Sequence, residues 1–101
     1  MKLDWNQIWK EAFLKSRLTS ENYYDNEELA KSYDASENIW IDGNKRAAEL
    51  NPDSSWSVLD IGSGPGILTV PLARGVRHVT AIEPSRPMIS CLKRHLAEEN
   101  L

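Results

Sequence analysis

The sequence has a single cysteine and no long hydrophobic run, and both absences exclude classes of protein. Cys91 has no second cysteine to pair with, so an internal disulfide is excluded, which agrees with a reducing compartment. No apolar stretch exceeds about five residues, far short of the roughly 20 needed to cross a bilayer. Residues 1–5 carry no apolar run behind their positive charge, so we expect no signal peptide. These features predict a soluble, cytoplasmic protein with no membrane partner.

The sequence also lacks an excess of positive charge. The 101 residues, about one small domain, hold 12 Lys and Arg against 15 Asp and Glu, a net charge of −3. This balance argues weakly against nucleic acid as a partner, because contacts with phosphates need clustered basic side chains. The acidic excess lies in residues 1–55, whereas residues 56–101 are slightly basic and more apolar. We therefore expect an N-terminal helical cap region over residues 1–52 and a different region over 53–101.

Helical patterns fill the first region. An apolar stripe at three- and four-residue spacing predicts an amphipathic helix over residues 4–18, formed by Trp5, Ile8, Trp9, Ala12 and Phe13. We expect the tryptophans of this stripe to pack inside the protein, the alternative being a stacking surface for a substrate. A second helix is predicted after Asp25, which resembles the N-cap of a capping box. A third covers about residues 36–50, weakened by Gly43 and ended by Asn51–Pro52.

The second region alternates strand and helix. Ser57–Ile61 and His78–Ile82 are short, β-branched and apolar, which predicts two buried strands. A helix is expected between them over Gly66–Ala73, and another from Arg86, whose apolar face includes Leu92. Strand, helix, strand and helix in this order predict an α/β fold with a parallel sheet and right-handed crossovers.

The loop after the first predicted strand carries the chemical signal. Its glycines at 62, 64 and 66 can adopt positive φ and leave no Cβ, so that a ligand can lie against the backbone. The following helix presents N–H groups and the positive end of its dipole to such a ligand. Glu83 ends the second strand 21 residues after Gly62, where an acid commonly binds the hydroxyls of a ribose. Glycine loop, strand order and acid together predict a nucleotide-type ligand rather than a turn without one.

The spacing of the glycines distinguishes between ligands. A dinucleotide fingerprint would place its third glycine at residue 67, which is Ile67. Asp60 stands before the loop, where it suits a cationic ammonium group and would repel a pyrophosphate. No Gly-Lys-Ser/Thr follows, so the phosphate loop of nucleotide triphosphatases is absent. The pattern favours an adenosyl ligand without phosphates, and it disfavours the alternative of a nicotinamide-binding oxidoreductase.

Residues 58–66, 72–73 and 79–85 together resemble the class I S-adenosylmethionine-dependent methyltransferases, with matching motifs over about residues 57–100. The resemblance implies N-terminal helices followed by the β-α-β-α start of a Rossmann-like methyltransferase sheet. It also implies that the glycine loop wraps the methionine part of the cofactor, that Asp60 lies near the ammonium group and that Glu83 holds the ribose. The cofactor-binding residues implied are Asp60, Gly62, Ser63, Gly64, Pro65, Gly66, Glu83, Pro84, Ser85, Met88 and Tyr33.

The last residues of that set follow from two further similarities. Pro84, Ser85 and Met88 would border the adenine ring. Tyr24–Asp25 and Tyr33–Asp34 resemble the tyrosine-bearing N-terminal helices of many members, where a Tyr-Asp pair lies over the cofactor. Tyr33 is therefore expected to approach S-adenosylmethionine.

The chain departs from the family in its length. Family domains are much longer, with a larger sheet, and their adenine clamp and substrate-side residues would lie beyond Leu101. We therefore expect the first half of the cofactor-binding domain over residues 53–101, inactive alone, with unknown catalytic residues and an unidentified methyl acceptor. Two parallel strands leave both sheet edges open, so we also expect self-association. A non-catalytic module with the same fold is the remaining alternative.

Cys91 and His95 are four residues apart on the last predicted helix, a spacing that could hold zinc with His78 as a third ligand. We expect no metal site. Cys91 is predicted to be a small core residue, and His95 is predicted to lie in solvent.

Overall fold

A computed structural model describes residues 2–19 and 25–101 of the chain. The elements, in chain order, are α1 (Trp5–Thr19), α2 (Glu27–Asp34), α3 (Glu37–Leu50), β1 (Ser57–Ile61), α4 (Thr69–Ala73), β2 (His78–Ile82) and α5 (Arg86–Glu98). The predicted fold class, helices followed by the start of a parallel α/β sheet, is confirmed. Both strands have their predicted bounds, and the last helix begins at its predicted residue, Arg86.

Helix α2 begins one residue later than the capping pattern predicts. The side-chain oxygen of Asn26 accepts hydrogen bonds from the N–H groups of Glu28 and Leu29, at 3.0 and 3.2 Å. Asn26, not Asp25, is therefore the N-cap, because its amide oxygen satisfies two of the N–H groups that the first turn leaves without helical partners.

Helix α3 is continuous through Gly43, although this glycine weakened the prediction of a helix here. A Cβ at this position would lie 2.3 Å from Cγ2 and 2.5 Å from the carbonyl oxygen of Ile67. Glycine is needed here because the helix passes directly against the segment after β1. The helix ends at Asn51, whose φ of 44° is the left-handed conformation that often follows a last helical turn.

Strands β1 and β2 pair in parallel, residue for residue, from Ser57 with His78 to Ile61 with Ile82. Both strands therefore end at the same edge of the sheet. Helix α4 is shorter than predicted and begins at Thr69, because residues 64–68 form turns before it. The segments that follow each strand thus leave the sheet side by side.

The sheet has one covered and one open face. Its covered face packs on α4, which in turn contacts α5. The buried core of these two helices includes Val70, Leu72, Met88, Cys91 and Leu92. On the other face Leu59, Ile61 and Ile82 are exposed, Ile61 by 75% of its surface. Parallel sheets normally bury both faces. Within residues 2–19 and 25–101, no helix is both long enough and apolar enough to cross a membrane.

The stripe of α1 does not pack as predicted. Trp5 and Trp9 are 63% and 72% exposed, so the expectation that they lie in the interior is wrong for this structure. The side chain of Phe13 lies outside the described residues. The spacing correctly predicts a helix with an apolar face, but spacing cannot tell what covers such a face.

Candidate ligand site

The glycine loop, residues 62–66, is tied by its backbone to the end of β2. The N–H groups of Gly62 and Ser63 both donate to the carbonyl oxygen of Ile82, at 2.7 and 3.2 Å. The N–H of Gly66 donates to the carbonyl oxygen of Ser63 at 3.1 Å, which closes a tight turn. Three backbone hydrogen bonds thus fix the loop at the edge where both strands end.

Glycine is required in this loop for two different reasons. Gly62, Gly64 and Gly66 have φ values of 74°, 57° and 102°, a region that costs other residues roughly 1–2 kcal/mol. A Cβ on Gly62 or Gly64 would meet no atom within 4 Å. A Cβ on Gly66 would lie 2.5 Å from Cδ1 of Leu92 and 3.0 Å from Cγ2 of Val70. The first two glycines therefore leave open space for a ligand, whereas Gly66 lets the loop pack on the core.

Glu83 follows β2, and its carboxylate is bonded to the glycine loop. Oε2 accepts a hydrogen bond from the N–H of Gly64 at 2.9 Å, and Oε1 accepts one from the N–H of Ser85 at 2.9 Å. A carboxylate has about four acceptor sites, so each oxygen keeps one after these two bonds. By this count, two neighbouring hydroxyl groups can each donate to Glu83 while its bonds to the backbone persist.

Asp60, in β1, brings a second carboxylate to the loop. Its Oδ2 accepts a hydrogen bond from the hydroxyl of Thr69 at 2.6 Å, which orients the carboxylate. Thr69 is buried and begins α4. Thr69 was not predicted from the sequence. The signal that could have identified it is a hydroxyl residue in the first turn of the helix after a glycine loop.

A cavity of about 480 Å³ opens on this loop. Tyr33, at the end of α2, lines it together with Gly62 and Gly64, so the structure brings this predicted residue to the loop. Helix α3 forms another wall through four residues that were not predicted: Asn38, Ile39, Asp42 and Arg46. Helix α3 forms this wall because it approaches Ile67 closely at Gly43. The sequence signal for this wall was therefore a glycine inside a helical pattern.

Carboxylates outnumber cations around the cavity. Asp42 and Asp60 line it with one guanidinium, Arg46, whose Nε lies 2.7 Å from Oδ2 of Asp42. Glu83 lies outside this lining, but its carboxylate is bonded to the N–H of Gly64, which belongs to the lining. Because like charges repel strongly where solvent is partly excluded, this site favours a ligand with a cationic group over one with a pyrophosphate.

A larger groove of about 740 Å³ runs between β2 and α5, with Ser63 and Glu83 at its margin. Its walls are mostly apolar and include Val79, Ile89 and Leu96. The smaller cavity is the stronger candidate for a polar ligand, because it combines the open backbone of the loop with Asp60.

The residues predicted to border an adenine ring do not line the smaller cavity. Pro84 is exposed, whereas Ser85 and Met88 are almost completely buried. The Ser85 hydroxyl accepts a hydrogen bond from the N–H of Met88 at 3.3 Å and so caps α5. Contact between these residues and an adenine stays a prediction. Tyr24 lies outside the described residues.

His95 is not in solvent as expected. Its Nε2 lies 2.6 Å from Oδ1 of Asp34, whose Oδ2 pairs with Arg94. The ring of Trp40 lies 4.5 Å from the imidazole ring, tilted by 60°. The expectation for His95 was wrong because its partner is 61 residues away in the sequence, and no local pattern reveals such a contact.

Cys91 is buried, which confirms its prediction as a core residue. Burial raises the pKa of the Cys91 thiol, and the negative charge of Asp34 raises it further. The face of α5 that carries Cys91 and His95 therefore contacts the carboxylate of Asp34 in α2. In residues 2–19 and 25–101, no group of three or more potential metal ligands lies close enough to hold one ion.

A family model described as ribosomal RNA adenine dimethylase matches residues 10–101. The ubiquinone biosynthesis O-methyltransferase of Bartonella tribocorum is 34% identical over 65 residues, covering 64% of this chain and 26% of that protein. The ribosomal RNA small subunit methyltransferase A of Shewanella sediminis is 32% identical over 62 residues, covering 58% and 23%. The chain thus spans about a quarter of the length of these relatives.

A crystal structure from Methanococcus maripaludis, described as a candidate S-adenosyl-L-methionine-dependent methyltransferase, has a similar fold. The TM-score is 0.67 at 25% sequence identity, and the match covers 82% of this chain and 41% of the other. The predicted methyltransferase-type fold is therefore confirmed as one portion of a larger fold.

Proposed function

Because the chain belongs to the ribosomal RNA adenine dimethylase family, a group of class I S-adenosylmethionine-dependent methyltransferases, we propose that it supplies the cofactor-binding portion of such an enzyme. The observation that carries the proposal is the glycine loop, with open backbone at Gly62 and Gly64 and a carboxylate on either side. We propose residues 53–101 as the first half of the cofactor domain and residues 1–52 as its helical cap.

The residues present fit the cofactor by their chemistry. Gly62 and Gly64 leave room for its methionine part against the backbone, and Asp60 offers a negative charge to its ammonium group. Glu83 keeps two acceptor sites for the two ribose hydroxyls. When bound, S-adenosylmethionine supplies an activated methyl group to a nucleophile. The contribution of this chain is then to bind and orient, since no residue of it is assigned as a base.

Two further parts of the proposed site are Tyr33 and the start of α5. Tyr33 lines the same cavity as the loop, which supports its predicted approach to the cofactor. Ser85 and Met88 are buried, so contact with an adenine ring requires that the start of α5 open or that the ring lie against Pro84.

The acceptor is proposed from the family. The net charge disfavours a nucleic-acid partner only weakly, whereas the family match favours one, so an adenine of ribosomal RNA is the first acceptor to test. A small molecule is the second, because one relative is a ubiquinone biosynthesis O-methyltransferase. Methyl transfer from labelled cofactor to ribosomal RNA or to a hydroxyl group of a small molecule, measured on a longer version of the chain, would distinguish these acceptors. We propose the cytoplasm as the compartment.

The first experiment is a calorimetric titration of the chain with S-adenosylhomocysteine and, separately, with NAD. We expect S-adenosylhomocysteine to bind and NAD not to bind. Replacing Glu83 by Ala removes a charged acceptor for two hydroxyls, and each such hydrogen bond contributes about 1.5–3 kcal/mol, so affinity should fall by at least about tenfold.

The matched control is Glu49→Ala, which removes an exposed carboxylate near the end of α3 and should leave affinity unchanged. Tighter binding of NAD than of S-adenosylhomocysteine would favour the oxidoreductase alternative. Equal losses of affinity in the Glu83 and Glu49 variants would remove Glu83 from the site.

A further inference from the structure

The C-terminal end of α2 is fastened to α5 through one buried carboxylate. Asp34 is 7% exposed. On α5, Arg94 pairs with its Oδ2, and Nε2 of His95 lies 2.6 Å from its Oδ1. Removing one partner of a buried, hydrogen-bonded charge is far more disruptive than removing one of an exposed pair. Asp34 is therefore a strong tether between the two helices.

Trp40, in α3, also holds the C-terminal end of α2. Its Nε1–H donates to the backbone carbonyl of Asp34 at 2.6 Å, and its ring lies against His95. Both the side chain and the backbone of Asp34 are thus held, so the position and rotation of the last turn of α2 are set by contacts outside that helix.

Helix α2 needs such contacts. It has eight residues, and isolated helices shorter than about 12 residues are marginal in water. An ion pair within the helix, between Glu27 and Lys31, has a long separation of 3.9 Å and is exposed. Where α2 lies is therefore decided by its packing, and α5 is its main partner.

Tyr33 immediately precedes Asp34 and lines the cavity beside Gly62 and Gly64. Neighbouring residues of a helix point in directions about 100° apart. With Asp34 directed at α5, the direction of Tyr33 is fixed, and in this structure it is toward the loop.

We propose that Asp34 is a positioning residue of the ligand site, which holds Tyr33 over the glycine loop by tethering α2 to Arg94 and His95. This inference rests on the proposed function, since it takes the cavity beside the loop to be the place where an adenosyl ligand binds. Asp34 itself does not line the cavity. Asp34 acts on the ligand site through Tyr33, whereas an ordinary ion pair would only stabilise the fold.

The test is a double-mutant cycle measured by calorimetric titration with S-adenosylhomocysteine. Asp34→Asn keeps the size of the side chain but removes its charge, and we expect it to weaken binding about fivefold or more. In a Tyr33→Ala background the same change should alter affinity by less than about twofold, because the residue that Asp34 positions is already gone. Equal weakening in both backgrounds would overturn the proposal, as would no weakening in either.

The control is Glu27→Gln, which removes a carboxylate and an ion pair from the same helix at an exposed position. We expect unchanged affinity. Thermal midpoints of all four proteins of the cycle must lie above the titration temperature, so that loss of the fold is not read as loss of the ligand.

A measurement without ligand separates this inference from the proposed function. In Asp34→Asn, amide hydrogen exchange should accelerate in α2 while exchange in β1 and β2 stays at the wild-type rate. If the wild-type chain does not bind S-adenosylhomocysteine but α2 loosens in this way, the proposed function fails and the tether stands. Unchanged exchange in α2 would refute the tether itself.

Discussion

Replacing Gly43 by Ala sets two opposing effects against each other. Alanine is favoured over glycine inside a helix by roughly 0.5–1 kcal/mol, because glycine loses more backbone freedom on folding. In this structure, however, the new Cβ would lie 2.3 Å from Cγ2 and 2.5 Å from the carbonyl oxygen of Ile67. Overpacking of this kind costs about 1–3 kcal/mol. A carbonyl cannot rotate away as a side chain can, so we expect a net loss of about 1–2 kcal/mol.

Urea unfolding followed by circular dichroism measures the effect. At the m-value of a small domain, about 1–3 kcal/mol per molar, the midpoint should fall by roughly 0.5–1 M. The control is Gly75→Ala, where a Cβ meets no atom within 4 Å and the change should stay within about 0.5 kcal/mol. Combining Gly43→Ala with Ile67→Ala removes the side-chain clash but not the carbonyl, so it should relieve only part of that clash. A Gly43→Ala variant as stable as the wild type would refute the close approach of α3.

Three further outcomes follow from the structure. Gly66→Ala should destabilise the chain by about 2–4 kcal/mol in urea unfolding, through its positive φ and the contact with Leu92; an unchanged midpoint would contradict this packing. The bond to Arg74 lowers the pKa of Glu99, so Glu99→Gln should lower the thermal midpoint at pH 7. The difference in midpoint between wild type and variant should vanish as the pH falls through that lowered pKa. A difference that stays constant with pH would exclude the ion pair as its cause. Burial raises the pKa of Cys91, so iodoacetamide at pH 8 should modify it at least about tenfold more slowly in the native chain than in urea; equal rates would show the thiol to be accessible.

The half of the fold built from local patterns was predictable. Ser57–Ile61 and His78–Ile82 are runs of β-branched and apolar residues bounded by turn residues, and the structure has both strands at those bounds. Their parallel pairing followed from the helical pattern between them. The position of Glu83 beside the glycine loop followed in turn, because parallel strands of equal length end together.

What could not be predicted depends on contacts between distant residues. Asp34 and His95 are in contact although they are 61 positions apart in the sequence, and no local pattern near either residue predicts this contact. The wall that α3 gives to the cavity depends on Gly43, which by propensity alone argues against a helix. Trp9 shows the converse, since a regular apolar stripe predicts a buried face and the structure leaves it 72% exposed.

The one-to-one pairing of the two strands ties the fidelity of folding to the existence of the site. Side chains alternate between faces along a strand, so a slip of one residue would turn Asp60 to the opposite side of the sheet. The same slip would move the end of β2 away from the glycine loop and separate Glu83 from the N–H of Gly64. A chain that pairs its strands wrongly therefore loses the candidate ligand pocket along with the sheet. If the proposed site binds its ligand, the binding capacity of a refolded sample measures the fraction of molecules with the correct strand register.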